Sequence, residues 1–214
     1  KRSLMQRLFT YGPGSQPAPT KETEIGEIPE HWKVTPFGKV ATLQRGKDLP
    51  KRKRKPGSYP IGGSNGIVGH HEEYVAHGPG VLVGRSGSVG KVTWIESAYW
   101  PLNTALWVKN YHGNDPHFIY YLLSYFDFSR YTSGVSVPTL NRNLVHPVKI
   151  GIPSIEEQRY VARILSVADA KIAVEEQRKA ALEALFHSTL QQLMTGQIRL
   201  NAEPQSRGDA EGKP

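Results

Sequence analysis

Apolar residues recur along the chain at three different spacings, and each spacing predicts a different kind of element. Leu4, Met5 and Leu8 share one helical face with cations opposite, and Gly12, Pro13 and Gly14 then stop that helix, so residues 1–11 read as the end of an amphipathic helix. Residues 12–24 are polar and proline-bearing and read as a linker without fixed structure. From Ile25 the pattern changes to short apolar pieces broken by Gly and Pro. That pattern predicts a compact α+β domain over 25–151, built from short strands and functional loops. Residues 81–83, 92–95 and 105–108 are expected as buried strands. Ser64-Asn65-Gly66, between Ile61 and Ile67, predicts a tight hairpin in which Asn-Gly supplies the positive φ angles. Asp115 has the place of an N-cap with Pro116 behind it, and Phe118, Leu122 and Phe126 recur every four residues, which predicts a helix over 116–128.

The last spacing is the longest. Ser154-Ile155-Glu156-Glu157 has the form of a capping box, in which Ser154 takes the amide of Glu157 and the Glu157 carboxylate returns to the amide of Ser154. No Gly or Pro follows until Gly196, so one helix over 154–195 is expected, about 42 residues against a usual three or four turns. A seven-residue register runs through Val161, Leu165, Ala168, Ile172, Glu175, Lys179, Leu182, Phe186, Thr189 and Leu193. It is apolar at both ends and charged in the middle, which predicts packing on a partner helix. Ser3–Thr10 echoes Ser188–Thr195, matching at Ser, Gln, Leu and Thr. Residues 1–11 then correspond to the end of a previous copy of the long helix, and the chain to one unit of a two-repeat protein and the tail of its predecessor. Residues 197–214 are expected to be a disordered tail.

Composition narrows the function. The 214 residues contain no cysteine, which excludes disulfide scaffolds, zinc-thiolate sites and cysteine nucleophiles. No apolar run approaches the roughly 20 residues that cross a bilayer, and no secretory signal opens the chain, so a cytoplasmic protein without membrane contact is expected. The net charge is +8, and nearly all of it is local. Residues 39–55 hold eight cations (Lys39, Arg45, Lys47, Lys51, Arg52, Lys53, Arg54, Lys55) against the one anion Asp48. Such a concentrated patch in a loop-like segment is an electrostatic footprint for phosphates, although charge alone suits a solvated loop equally well.

Two further surfaces have side chains suited to nucleic acid. Ten of the 21 glycines lie between Gly57 and Gly90, where they shape turns bearing Ser64, Asn65, Arg85, Ser86 and Ser88. Arg85 is the foremost candidate for a base contact, because arginine pairs bidentately with guanine. Between Ser129 and Asn143, Arg130, Tyr131, Thr132, Ser133, Thr139, Asn141 and Arg142 mix cations, an aromatic and hydroxyl or amide groups, a composition that loops without any ligand share equally. Enzyme motifs fail by contrast. The stretch from Gly84 to Lys91 misses the phosphate-loop spacing, with Arg85 and Val92 at the positions that need Gly and Ser/Thr. His70, His71 and His77 lie beside Glu72 and Glu73, but adjacent histidines face opposite sides of a strand and are expected at the surface.

At these residues the chain resembles the specificity subunit of type I restriction–modification systems. Residues 25–32 (IGEIPEHW) are similar to the opening of that family's target-recognition domain, 59–66 (YPIGGSNG) and 84–91 (GRSGSVGK) to its glycine-rich turns, and 103–106 (NTAL) to its asparagine motif. Residues 152–159 (IPSIEEQR) resemble the entry to its spacer helix, and 193–196 (LMTG) its exit. The resemblance implies a recognition domain that reads one half of a split double-stranded DNA sequence. It also implies a spacer helix that pairs antiparallel with a second copy or a second recognition half, and partners that include methyltransferase and restriction subunits. The chain then equals either a piece of a two-domain subunit or a half-length one. No cofactor and no metal are expected in this chain, with S-adenosylmethionine, ATP and magnesium on the partner subunits. The alternative is a non-catalytic coiled-coil adaptor that binds acidic partners through its basic segment.

Overall fold

A computed structural model describes residues 1–14, 18–134 and 138–196. In chain order it opens with α1 (Arg2–Tyr11), β1 (Thr20–Thr23), β2 (Gly26–Pro29), β3 (Lys33–Pro36), α2 (Phe37–Val40) and β4 (Thr42–Arg45). A 3₁₀ turn (Lys51–Lys53) precedes β5 (Tyr59–Gly63), β6 (Gly66–His71), β7 (Gly80–Gly84), β8 (Val92–Ile95), β9 (Trp100–Pro101) and β10 (Ala105–Asn110). Then come α3 (Pro116–Tyr125), a second 3₁₀ turn (Phe128–Tyr131), β11 (Thr132–Ser133), β12 (Thr139–Leu140), α4 (Arg142–Val145), β13 (Lys149–Ile152) and α5 (Ile155–Met194). The elements form two units, Lys1–Ala168 and Asp169–Pro214.

The expected α+β class is what the first unit shows. Its centre is a four-stranded antiparallel sheet in the order β4-β10-β7-β8. A three-stranded sheet, β6-β5-β9, and three two-stranded pairs surround it. All five residues of β7 are buried, because it is an inner strand, whereas edge strand β8 buries only Ile95 fully. The β5–β6 hairpin turns at Ser64-Asn65 as expected, but Gly66 alone takes the positive φ, 109°. The stretch Gly62-Gly63-Ser64-Asn65-Gly66 also has the spacing of a hydrolase nucleophile elbow. An elbow joins a strand to a helix, and here two antiparallel strands flank the serine.

One apolar core joins sheet and helices. Phe37, Leu43, Val83, Leu106, Phe118, Leu123 and Val145 are buried together with Met5 and Leu8 of α1 and with Val161 and Leu165 of α5. The segment expected as an unstructured linker therefore includes β1, paired with β2, and connects two parts of one folded unit. Residues 15–17, and the expected tail at 197–214, lie outside the described residues. The helix expected over 116–128 ends earlier. Phe126 turns to extended backbone and its ring packs against Phe37 and Phe128, while the Asp127 carboxylate accepts the Ser129 amide and starts the 3₁₀ turn.

The long helix is present, at 40 residues. Half of the expected capping box forms: the Glu157 amide donates to Ser154 Oγ at 3.3 Å. The Glu157 carboxylate is turned instead to the domain, accepting from Trp32 Nε1 at 3.0 Å and pairing with His31 Nε2 at 2.7 Å. It is Glu156 whose carboxyl is held below the usual range, by backbone and Ser154 hydrogen bonds at the helix start. The stripe also divides. Val161 and Leu165 are fully buried in the chain's own domain rather than on a partner helix, and Ala168 is half-buried. In the second unit Ile172, Leu182, Phe186 and Leu193 are exposed. Among the described residues no helix is long and apolar enough to cross a membrane.

Candidate nucleic-acid interface

The register of the central sheet sets the site. At the start of β10, Leu106 pairs with Arg45 on one side while Ala105 pairs with Gly84 on the other. Arg45 and Arg85 therefore emerge at the same end of the sheet, on strands flanking β10. Two strand spacings separate them, about 10 Å of backbone. The third segment closes around them: the Leu140 amide donates to the Arg85 carbonyl at 2.8 Å, and Ser86 bridges to Thr139. The result is a cleft of about 270 Å³ with Leu106 and Leu140 among its apolar lining. Its polar lining comprises Arg45, Arg85, Ser133, Thr139, Asn141, Arg142 and Asn143, with no carboxylate among the described residues.

Each arginine is held differently. The Arg85 amide donates to the Thr104 carbonyl at 2.8 Å, and its guanidinium lies 3.5 Å from the Asn103 carbonyl. Burial first, and then the positive charge of Arg45, pull the Arg85 guanidinium below the usual arginine value. Arg142 donates to the Leu43 carbonyl at 3.3 Å and to Gln44 Oε1, so it braces the edge of β4. Asn141 caps α4 by accepting the Asn143 amide at 3.0 Å. The turn after β7 admits only glycine at position 84. A Cβ there would meet the Ser88 carbonyl oxygen at 1.9 Å and that of Ser64 at 2.6 Å, which also places the Ser64-Asn65 hairpin against this turn. Lys91 fixes that hairpin, donating to the Asn65 carbonyl at 2.9 Å and Oδ1 at 2.8 Å.

The basic segment is not one loop. Lys39 lies on α2, Arg45 on β4 and Lys51–Lys53 on a 3₁₀ turn. Lys47 runs beside β9, its amide donating to the Pro101 carbonyl, and Asp48 accepts from Asn103, the residue whose carbonyl faces Arg85. Lys51, Arg52 and Lys53 are exposed, while Arg54 Nε donates to the Leu49 carbonyl at 3.3 Å. Lys55 is engaged by Glu72 at 2.6 Å, which raises its pKa. Arg130 and Tyr131 are outside the cleft lining: Arg130 pairs with Asp127 at 3.6 Å, and the Tyr131 ring packs 5.4 Å from Phe126. Of the histidines expected at the surface, His70 and His77 are exposed, but His71 is buried and accepts the Lys55 amide at 3.1 Å.

Sequence reasoning missed His146. It stands four residues after Arg142, and its Nε2 accepts the Leu43 amide at 3.0 Å, so the two side chains satisfy both backbone groups of Leu43 on the open edge of β4. Burial, then the Arg142 charge, lower the His146 pKa from 6.5. The folded state thus binds fewer protons than the unfolded chain just below that value. Stability from this group is full above pH 6.5 and is lost as pH falls through the folded pKa. We expect the urea midpoint to drop between neutral pH and pH ~5, and His146→Gln, whose oxygen can accept the same amide, to flatten that dependence.

A guanidinium-walled cleft thus stands on an α+β domain whose chain continues into a long helix. The chain belongs to the family of the type I restriction modification DNA specificity domain, whose model matches residues 29–184. It is 28% identical over 139 residues to the EcoprrI specificity subunit of Escherichia coli, covering 62% of this chain and 35% of that protein. It is 26% identical over 238 residues to the MjaVIII specificity subunit of Methanocaldococcus jannaschii, covering 94% and 54%. The chain spans about a third to a half of the length of these relatives. In fold it is similar to the HsdS subunit of Thermoanaerobacter tengcongensis, with a TM-score of 0.59 and 16% identity over 92% of this chain and 50% of that one. A chain from a structure of a type I R-M system gives a TM-score of 0.66 at 17% identity, covering 88% and 48%.

Proposed function

We propose that this chain recognises one half of a bipartite double-stranded DNA target as part of the specificity subunit of a type I restriction–modification complex. The observation that carries the reading is the convergence of three separate segments, at Arg45, Arg85 and Arg142, on one cleft with no carboxylate among its described lining residues. Cations supply affinity through counterion release, and the neighbouring turns at Ser64-Asn65 and Ser86-Ser88 supply donors and acceptors for base edges. Methyl transfer and cleavage, with their S-adenosylmethionine and ATP, belong to the methyltransferase and restriction subunits in this reading. Binding of the chain to duplex DNA across a salt series, followed by selection from a randomised duplex pool, tests it. The expected result is a steep negative salt slope and a recovered sequence motif. Equal affinity for heparin and every duplex, with no motif, would instead support the adaptor reading.

The exposed stripe of the second unit is the proposed pairing surface for a second copy or a second recognition half. Water on Leu182 and Phe186, 56% and 65% exposed, is unfavourable by about 25 cal/mol per Å² of apolar surface, and an antiparallel partner helix removes it. Phe186→Asp is expected to weaken self-association about tenfold or more by sedimentation, while unfolding of the first unit, read by tryptophan fluorescence, stays unchanged. Association that is indifferent to the charge places pairing elsewhere.

A further inference from the structure

We propose that the cleft seats a phosphate group of the duplex backbone, so that Arg85 fixes where the protein sits on DNA and does not read a base. The inference rests on the DNA-binding reading above and assigns the role of its central residue. Shape supports it first. A side chain that reads bases must protrude, because the edges lie at the floor of a major groove about 8.5 Å deep. Arg85 is half-buried in a cleft, with its backbone tied to Thr104 and Leu140. Phosphates are the groups that protrude from a duplex, and a recess on the protein receives them.

Charge supports it second. Arg45, Arg85 and Arg142 line the same cleft, and no carboxylate among the described lining residues offsets them. Arg142 has its donors on Leu43 and Gln44 and acts as a fixed charge, while Arg45 and Arg85 face a repulsion that a neutral guanine edge cannot relieve. A phosphate relieves it and presents oxygens to the side-chain amide of Asn141, whose Oδ1 alone is taken by the Asn143 amide. Base readers on this surface are then the neighbouring turns, where Asn65 is exposed and Ser86 and Ser88 are half-buried.

The test compares Arg85→Ala and Arg85→Lys in the full chain. Arg85→Ala is expected to weaken binding to any mixed-sequence duplex by about three- to tenfold, to lower the salt slope by about one, and to leave the selected motif unchanged. Arg85→Lys keeps most of the affinity, since lysine binds phosphate as a point charge but loses the bidentate pair with guanine. A duplex with a methylphosphonate at one position reproduces the loss, and adding Arg85→Ala to it changes nothing more. Should the alanine variant fold poorly, the lysine variant and the methylphosphonate series decide alone. A motif altered at one base pair, with the general affinity and salt slope intact, overturns the proposal and leaves DNA binding standing. Absence of any duplex binding by the unaltered chain overturns DNA binding itself. Inorganic phosphate that then raises the unfolding temperature of the unaltered chain, and not of Arg85→Ala, retains the seat for free phosphate, and no effect rejects it.

Discussion

Gln158→Leu is expected to lower the free energy of unfolding by about 2–4 kcal/mol, although leucine has a similar size and suits a buried position. Gln158 is 2% exposed at the start of α5, and its amide is fully used. Its Oε1 accepts the Asp115 amide at 3.0 Å, while Nε2 donates to Asn114 Oδ1 at 2.8 Å and to the Pro153 carbonyl at 3.1 Å. Asn114 in turn donates to the carbonyls of Val40 and Tyr111, both at 3.0 Å. One side chain thus clips the long helix to the β10–α3 connection and, through Asn114, to the end of α2. Leucine strands an amide and two acceptors, each costing about 1–3 kcal/mol when water cannot replace the partner. The upper sum is not reached, because half-buried Asn114 can hydrate. Urea unfolding should show a lower midpoint with an unchanged slope. A shift below about 0.5 kcal/mol would mean that the helix is held by Val161 and Leu165 alone.

That clip explains which parts of the fold were legible beforehand. Ser154 and the unbroken run to Gly196 marked the long helix, because capping and the absence of breakers act locally. Gln158 itself carried a readable signal. It shares a helical face with Val161, Ala162 and Leu165 at the i, i+3, i+4, i+7 spacing, so an amide there is a polar group placed to be buried. Its partners, 43 and 44 residues earlier in the chain, left no mark on that spacing. Glu157 shows the same limit. The capping pattern identified its neighbourhood, yet the Trp32 indole, 125 residues away, took its carboxylate.

The candidate site divides in the same way. Composition singled out Arg45, Arg85 and the 129–143 segment one by one, since cations among Gly, Ser and Asn are visible in any window. Their meeting depends on β4 and β7 flanking β10, an order set by long-range pairing that no local period encodes. Charge counting also treated every cation alike. The fold distinguishes Lys55, engaged by Glu72, and Arg54, bonded to the Leu49 carbonyl, from Lys51, Arg52 and Lys53, whose side chains stand in solvent.

Replacing Lys51, Arg52 and Lys53 together with glutamine is therefore expected to cost about 10²-fold in duplex affinity at moderate salt and to reduce the salt slope by up to about 3. Each phosphate contact contributes roughly 0.9 to that slope for B-form DNA, and the loss grows as salt is lowered. The three residues form a solvent-facing 3₁₀ turn in which no side chain is buried, so the change should leave the unfolding midpoint within experimental scatter and separate binding from folding. Lys55→Gln supplies the internal contrast. Its charge is already balanced by Glu72 at 2.6 Å, and its removal should alter affinity less than twofold. Equal losses from Lys55→Gln and from any one of the three exposed cations would show that the segment acts only through net charge. A triple variant with unchanged affinity and slope would move the phosphate contacts to the cleft alone. Binding would then rest on Arg45 and Arg85, and Arg85→Ala would have to account for most of the measured slope.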